Sequence, residues 1–297
     1  TGVQTCALPI FFAGLLWSFG PLVVRYMDNP QLVPWQYIFG RGLTIFILLN
    51  LYLFFEEGKN FYKNYYKIGL SGVIGGSGLG IAMITFIYSI TNTSAAVTLL
   101  CLAAMPFFTA LLAFLFLREK ISLNVWISII IATVGIIIMA LGNTGEKSLI
   151  GFVFGLTSSI GFSVFSVTLR WRKETPKFTT VAFAGLFCFV FATIMILSKD
   201  LVFFSSSYNG ALFYLHGTLV CFGLILYSIG SKAIPAAELT LLSLTEVVGG
   251  IFWVWLPLFG INEVPSTNTI IGGFFLFVSI FYYSLIMRWN KRYIALN

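Results

Sequence analysis

The sequence predicts an all-α membrane protein whose ten transmembrane helices form two inverted repeats of five helices each. Three observations lead to this fold class. First, 59% of the 297 residues are hydrophobic and only 9% are charged, against roughly 45–50% and about 25% in soluble domains. Second, lysine and arginine are concentrated in alternate loops between long apolar runs. Third, a short pattern in the first half of the chain recurs in the second half.

The composition excludes several other classes of protein. A mean hydropathy of +0.97 leaves too few polar residues to cover a soluble core. Disordered, fibrous and disulfide-framed proteins are excluded on the same ground. A transmembrane barrel would show alternating segments of about ten residues, whereas the apolar runs of this chain are continuous.

The length of these runs predicts the spans, because a helix needs about 20 apolar residues to cross a bilayer. The ten predicted spans lie at 10–27, 34–55, 68–90, 95–117, 124–142, 149–169, 178–198, 208–230, 236–258 and 268–287. Almost nothing remains for a domain outside the membrane. Because the first residue is Thr1 and not Met, we expect that the true N-terminus is missing and that part of the first ten residues is a sequencing artefact.

The positive charges predict the orientation of the spans. With the N-terminus in the cytoplasm, the cytoplasmic loops and tail hold 13 lysine and arginine residues, whereas the outer loops hold three, Arg25, Lys147 and Lys199. Such an excess is typical of cytoplasmic loops. We therefore expect a multi-pass protein of the cell membrane (inner or plasma membrane) with both termini in the cytoplasm. The net charge of +7 then reflects topology, and we expect no nucleic-acid partner.

An internal repeat divides the chain into two halves. An Ala-Ala pair at 95–96 recurs at 236–237, and a Glu-x-x-Ser frame at 119–122 recurs at 263–266. The two frames keep their order, with offsets of 141 and 144 residues. We therefore predict one five-helix unit in the first half and a second in the other.

The predicted units are residues 1–145 and 146–297. Because five is an odd number, the second unit enters the membrane from the side opposite to the first. Inverted repeats of this kind are typical of secondary transporters, which bind their substrate near the midplane between the halves.

Two stretches carry a resemblance to a known family. They are AAMPFFTALLAFLFLREKIS with the following NVWISIIIATVGIIIMA, and AAELTLLSLTEVVGGIFWVWL in the second half. They resemble the EamA-type transporters of the drug/metabolite transporter superfamily, whose pattern has a proline in mid-helix and a glutamate at the helix end. Pro106 and Glu119 fit this pattern. In the second half, Val247 stands where many members carry proline, and Glu246 just before it fits.

This resemblance implies a ten-helix exporter or exchanger of small metabolites, often amino acids. It also implies that the fifth and tenth helices pack outside a central cavity. The sequence leaves two alternatives open, a membrane-embedded enzyme acting on a lipid-like substrate and a channel or receptor. An enzyme of that kind would need acidic, histidine or lysine residues clustered at one interface, and the sequence has no such cluster.

Nucleotide and metal motifs are missing from the sequence. The segment GNTGEKS at 142–148 lacks the spacing of a phosphate-binding loop, and no H-E-x-x-H pattern is present. We therefore predict a protein without enzymatic activity, cofactor or metal, and a transport process driven by a proton gradient or by exchange. The predicted partners are a small-molecule substrate, the lipid bilayer and protons. The protein is expected to be a monomer or a homodimer.

Glu246 is the most informative candidate for substrate binding. It lies about ten residues into the ninth predicted span, roughly 15 Å deep at about 1.5 Å per residue. Ionisable groups at that depth are costly and usually face a cavity or a partner. Ser243 and Trp253 share its helix face. Glu246 is interpreted as a site for a substrate amine or a proton, or as a structural glutamic acid bonded to a neighbouring helix.

Two further polar residues are placed inside predicted spans. Arg41 lies about seven residues into span two, where it could pair with Glu246, bind a substrate carboxylate or extend towards the interface. His216, the one histidine of the chain, lies at a similar depth in span eight. It is interpreted as a proton relay or as a packing residue.

Several aromatic residues and two prolines complete the candidate list. The aromatic candidates for a cavity lining are Trp17, Tyr88, Tyr227, Trp253 and Trp255. For any single one of them, packing or a lipid-facing position is the favoured interpretation, because 18% of the chain is aromatic. Pro21 and Pro106 are predicted to kink their helices, because proline removes a backbone hydrogen bond. Such positions can act as hinges or line a cavity.

Small residues predict close helix contacts in spans three and six. Gly72, Gly76 and Gly80 recur every four residues in span three, and a similar stripe runs from Gly151 to Ser159 in span six. Stripes of this kind allow helices to approach closely. They are interpreted as packing surfaces, or as surfaces along which spans three and six move during transport.

Overall fold

The fold consists of packed helices joined by short connections. A computed structural model describes residues 2–118, 123–142, 146–172, 174–231, 239–240 and 242–296. These residues form helices and turns and contain no strand. The α-helices are α1 Gly2–Ser18, α2 Gly20–Tyr26, α3 Pro34–Glu57, α4 Lys63–Lys67, α5 Gly69–Asn92, α6 Ala95–Leu102, α7 Met105–Leu117, α8 Leu123–Gly142, α9 Glu146–Trp171, α10 Lys177–Ser198, α11 Ser207–Gly230, α12 Thr245–Trp255 and α13 Thr267–Leu296.

Eight helical segments in the described part of the chain are long and apolar enough to cross a membrane. They are Leu8–Tyr26, Pro34–Asn60, Gly69–Asn92, Ala95–Leu117, Leu123–Gly142, Ser148–Trp171, Lys177–Ser198 and Ser207–Gly230. They coincide with the first eight predicted spans, so the all-helical, multi-pass membrane fold is confirmed.

The last two predicted spans are only partly covered. The ninth, 236–258, includes residues 236–238 and 241, which lie outside the described residues, and its described part ends in α12. The tenth lies within α13, whose apolar segment is Thr267–Tyr282. The total of ten spans and the inverted repeat therefore stay predictions.

Span one is interrupted at its centre. Helix α1 ends at Ser18 and α2 begins at Gly20, with Pro21 in the first turn of α2. Proline has no backbone N–H, and its ring would collide with the carbonyl four residues earlier in a continuous helix. This places the break just before Pro21, in the middle of the span.

Span four is interrupted in the same manner before Pro106. Residues Ala103 and Ala104 form a turn between α6 and α7. The backbone N–H groups of Phe107 and Phe108 both donate to the carbonyl of Ala104, at 3.0 and 3.2 Å. The second half of the span therefore begins as a new helix with its own N-terminal end.

Span nine contains an equivalent break without a proline. The N–H groups of Val247 and Val248 both donate to the carbonyl of Leu244, at 3.0 and 3.2 Å. This repeats the pattern of span four at an offset of 140 residues. It places Glu246 at the position that Pro106 occupies in span four, whereas the Ala-Ala frame of the sequence places Val247 there.

The largest helix contacts join α5 to α9, α3 to α10, α8 to α13 and α1 to α11. Helix α12 packs against α1, α2 and α6.

The two stripes of small residues that the sequence predicts in spans three and six do not face each other. A Cβ on Gly76 would lie 2.9 Å from the carbonyl oxygen of Thr180 in α10, and one on Gly155 would lie 2.9 Å from Cys101 in α6. The backbones of α5 and α9 approach most closely where Gly78 meets Gly161, since a Cβ on Gly161 would lie 2.6 Å from the carbonyl oxygen of Gly78.

An ion pair joins the ends of several spans on one side of the bundle. The Nε atom of Arg25, in the last turn of α2, lies 2.6 Å from Oε2 of Glu263, in the connection between α12 and α13. The pair links segments that are 238 residues apart in the chain.

The contact between α3 and α10 depends on glycine. A Cβ on Gly42 would lie 2.8 Å from the backbone nitrogen of Phe189 and 3.0 Å from the carbonyl oxygen of Gly185. These are backbone atoms, so the two helices would have to separate to accept a side chain. A Cβ on Gly210 would meet no heavy atom within 4 Å.

We expect Gly42→Ala to lower the thermal stability of the protein relative to Gly210→Ala. Overpacking typically costs about 1–3 kcal/mol, while the gain in helix propensity, about 1 kcal/mol, is shared by both variants. Melting curves of the two purified variants in detergent provide the measurement. Equal melting temperatures would show that α3 and α10 are not held at the distance described.

Candidate functional site

A small cavity of about 50 Å³ lies in the middle of the bundle. Its described lining comes from α1, α3, α5, α6, α7, α9, α11 and α12, and it includes four polar residues, Arg41, Ser158, His216 and Glu246. Helices α8, α10 and α13 contribute no described lining residue. The volume suffices for a few water molecules and is well below the 300–1,000 Å³ or so of typical small-molecule sites.

A larger groove of about 400 Å³ lies on the outer surface of the bundle between α5, α7 and α9. Its lining is apolar except for the hydroxyl of Thr168 and the indole of Trp171. Recognition of a polar solute needs several convergent polar groups, and the central cavity has them. The central cavity is therefore the better candidate for a functional site.

Arg41 is a buried cation that lacks the partners such a group usually has. Its side chain is only 6% exposed, and its Nε and Nη1 atoms have no hydrogen-bond partner in the described part of the protein. The guanidinium carbon lies 5.5 Å from the ring centre of Phe86, a cation–π distance. A buried charge without hydrogen bonds is destabilising, so Arg41 retains donors for a further ligand.

Glu246 faces the same cavity from the opposite half of the chain. It lies in the first turn of α12, directly after the break in span nine, where the positive end of the helix dipole favours a carboxylate. The side chain is half-buried and accepts no hydrogen bond from any described residue. Arg41 and Glu246 interact electrostatically but lie more than 4.0 Å apart.

His216 is held in place by a residue that the sequence analysis did not identify. The hydroxyl of Tyr37 is hydrogen-bonded to Nδ1 of His216, and both side chains are buried. The other ring nitrogen, Nε2, would lie 2.7 Å from a Cβ on Gly20, so a side chain there would push against the imidazole. Tyr37 precedes Arg41 by one helical turn and shares its face of α3. That spacing is the signal that could have identified it.

Trp17 lines the cavity, whereas Tyr227 lies behind it. The indole Nε1–H of Trp17 donates to the carbonyl of Val220, at 3.3 Å, and its ring contacts both Phe162 and Tyr227. The hydroxyl of Tyr227 is hydrogen-bonded to Ser166 at 3.0 Å, and the side chain is fully buried. Tyr227 therefore supports the aromatic side of the cavity without lining it.

Trp253 and Ser243 do not line the cavity, although they share a helix face with Glu246. The Nε1–H of Trp253 donates to the hydroxyl of Ser18 at 3.0 Å, and its ring stacks on Phe19. The hydroxyl of Ser243 donates to the carbonyl of Thr240 within its own segment, at 2.8 Å. Ser243 lies in the turn that precedes α12, whereas Trp253 lies seven residues beyond Glu246 in the same helix, where it packs against the end of α1.

Tyr88 lies away from the cavity. Its ring contacts Trp35 and Phe154 near one end of α5. Pro21 and Pro106 are not cavity-lining residues either, but the break at Pro106 lies next to Leu102 and Met105, which are. Of the sequence candidates, the structure thus brings four into one site. They are Trp17, Arg41, His216 and Glu246.

Residues 4–141 match the sequence profile of the EamA-like transporter family. The N-terminal half of the chain is thus similar to members of this family. Its residues include Trp17, Arg41 and the apolar part of the cavity lining from α5 to α7. The resemblance to EamA-type members of the drug/metabolite transporter superfamily is thereby confirmed.

Relatives of this EamA-like chain carry the name of transporters. A protein named as an uncharacterized transporter of Helicobacter pylori strain J99 is 28% identical over 176 residues, which are 58% of this chain and 56% of the relative. Another, from Clostridium kluyveri, is 30% identical over 113 residues, 36% of this chain and 35% of the relative. The chain thus spans about half the length of the first relative and about a third of the second.

A solved protein structure has the same fold. It aligns over 95% of this EamA-like chain and 98% of its own length, with a TM-score of 0.65 and 16% sequence identity. At that identity the likeness shows the fold alone. It extends well beyond the segment that the family profile matches.

We expect Arg41→Met to raise the thermal stability of the substrate-free protein, by about 1–3 kcal/mol, because it replaces an unsatisfied buried charge by an apolar side chain. The matched control is Arg25→Met, which removes a guanidinium whose three nitrogens are all hydrogen-bonded. That variant should be less stable than the wild type. Tryptophan-fluorescence melting curves measure both, and equal losses in the two variants would contradict the description of Arg41.

Proposed function

We propose that this protein is a secondary transporter of the drug/metabolite type, which exports or exchanges small amphiphilic metabolites such as amino acids. One observation carries the proposal. A cation and an acid, Arg41 and Glu246, face one central cavity inside the membrane, and neither charge is bonded directly to the other. Intramembrane charges are rare and usually mark a substrate or ion pathway.

The proposed substrate is a zwitterion with an apolar part. The free donors of Arg41 suit a carboxylate, which arginine can bind through two parallel hydrogen bonds. The carboxylate of Glu246 suits an ammonium group. Between them the lining is apolar and includes Met83, Phe86 and Met105, which favours substrates with a hydrophobic side chain.

The size of the cavity favours a mechanism of alternating access. About 50 Å³ is too small for an amino acid, so the helices around it must separate to admit one. The breaks in spans four and nine border the cavity and give these spans independent halves. Broken helices of this kind occur in transporters at the substrate site.

The proposed transporter has ten spans in two inverted units, 1–145 and 146–297. The helix contacts support this arrangement. In an inverted repeat, each span of the first unit corresponds to the span five positions later, so a contact between two spans should recur between the two corresponding spans. The contact of spans three and six (α5 with α9) has its counterpart in spans eight and one (α11 with α1). The contacts of spans two and seven and of spans five and ten are their own counterparts.

The proposed location is the inner or plasma membrane, with both termini in the cytoplasm. The distribution of lysine and arginine between alternate loops supports this orientation. Since no nucleotide-binding motif is present in the sequence, the energy is proposed to come from a proton gradient or from exchange. Glu246 and His216 are the proposed proton-carrying groups, and the transporter is proposed to act as a monomer or homodimer.

We expect Glu246→Gln to reduce counterflow of labelled amino acids in proteoliposomes. Loss of a charged hydrogen bond to the substrate amine is worth about 1.5–3 kcal/mol, or about a ten- to hundredfold reduction. The matched control is Glu56→Gln, which neutralises an exposed acid at the end of α3, outside the cavity. Unchanged counterflow in Glu246→Gln would remove Glu246 from the substrate site.

We expect accumulation of the substrate to follow an imposed pH gradient. Wild-type proteoliposomes should concentrate a labelled amino acid when the gradient is present, and a protonophore should abolish this accumulation while exchange continues. Radioactive uptake with and without the protonophore measures both. Exchange without accumulation, whether or not the pH gradient is present, would identify the process as facilitated exchange.

A further inference from the structure

Four segments of the chain meet around the ion pair of Arg25 and Glu263. Beyond the ion pair, Nη1 of Arg25 donates to the carbonyl of Ile90 at 2.9 Å, and Nη2 donates to the carbonyl of Thr93 at 3.1 Å. The second carboxylate oxygen of Glu263, Oε1, accepts the backbone N–H of Ala95 at 2.5 Å. We call this cluster of five residues the latch.

Each charge of the latch lies at the helix end that stabilises it. Arg25 binds carbonyls at the C-terminal end of α5, where the helix dipole is negative. Glu263 binds an N–H at the first residue of α6, where the dipole is positive. Both side chains are only 21% exposed, so water screens the pair less than a fully exposed one. Charge-assisted bonds of this length are strong.

The latch joins the ends of the helices that surround the cavity. Arg25 ends span one, Ile90 and Thr93 end span three, and Ala95 begins span four. The backbone N–H of Glu263 donates to the carbonyl of Val254, in α12, at 2.9 Å, so span nine is included. All four spans contribute residues to the cavity lining.

These helix ends cannot separate while the latch is intact. The cluster ties the ends of spans one, three, four and nine to one another on this side of the bundle. We propose that the Arg25–Glu263 latch is the gate on this side of the membrane, holding the cavity closed in the conformation described and opening when the substrate is admitted or released. This inference rests on the proposed transport function and concerns its conformational cycle.

A neighbouring hydrogen bond provides the matched control. The hydroxyl of Tyr26 donates to the carbonyl of Phe259 at 2.6 Å. It joins the end of α2 to the same connection that carries Glu263, but it is exposed and involves no charge. Tyr26→Phe therefore removes a bond between the same two segments without touching the latch.

The gate can be tested by chemical labelling of the cavity. The reporter is Met83→Cys, introduced into a background in which the four cysteines of the sequence are changed to alanine. A membrane-impermeant thiosulfonate reagent is applied to intact cells and, separately, to inside-out vesicles. Arg25→Gln and Glu263→Gln should each accelerate labelling from the latch side about five- to tenfold, while Tyr26→Phe should change it less than about twofold. Latch variants that label no faster than Tyr26→Phe would overturn the proposal.

A second experiment does not depend on weakening the protein. Arg25→Cys and Glu263→Cys are combined and bridged by a bifunctional thiosulfonate with a spacer of side-chain length. The bridged protein should lose counterflow and latch-side labelling of the reporter, and reductant should restore both. Size-exclusion profiles before and after bridging check that the fold is kept. Continued latch-side labelling of a fully bridged protein would contradict the gate.

The two experiments separate the gate from the transport function. Faster labelling in the latch variants together with no counterflow of any amino acid would leave the gate standing and remove the proposed substrate class. Counterflow that persists in the bridged protein would leave the transport function standing and remove the gate.

Discussion

The constraint on which this fold depends is that every backbone N–H and C=O within a bilayer must find a partner inside the protein. Continuous helices meet it at once, which is why most of the chain is helix. Breaks are tolerable only where other helices or a cavity surround the freed groups. The break in span four lies between Leu102 and Met105, both lining the cavity, and the break in span nine precedes Glu246, which lines it too. The position of the breaks therefore follows from the position of the cavity, because the freed backbone groups are tolerated there.

Two pairs of opposite charges show how context decides what a charge does. Arg25 and Glu263 lie near the interface, and every guanidinium nitrogen and both carboxylate oxygens have partners. Their contribution is mechanical, since they fix helix ends. Arg41 and Glu246 face the central cavity, and two guanidinium nitrogens of Arg41 have no partner among the described residues. In a medium of low dielectric constant such groups are destabilising until a ligand completes them, so their presence favours a ligand that does so.

The sequence predicted the spans well and the site in part. Hydropathy locates the first eight spans because burial in lipid acts on whole segments, but it does not reveal which face of a helix is inward. Arg41 and Glu246 were identifiable from the sequence, because a charged residue within an apolar run lowers stability unless it has a functional or structural role. Tyr88 and Trp253 are not among the lining residues of the cavity, and the abundance of aromatic residues in this chain gives the sequence no means to separate lining from packing. The break before Glu246 has no proline to signal it, so the direction of its helix face could not be derived.

The equivalence of Glu246 and Pro106 has a thermodynamic consequence. In the proposed alternating-access cycle, an inverted repeat of two identical halves would give inward-open and outward-open conformations of equal free energy, because a two-fold axis would relate them. Here one half breaks its helix with a rigid ring, and the other breaks it at a residue that can change its charge. In the proposed cycle, the two conformations therefore differ in free energy by an amount that depends on the ionisation of Glu246. The resting balance between them becomes a property that protons or a bound cation can set.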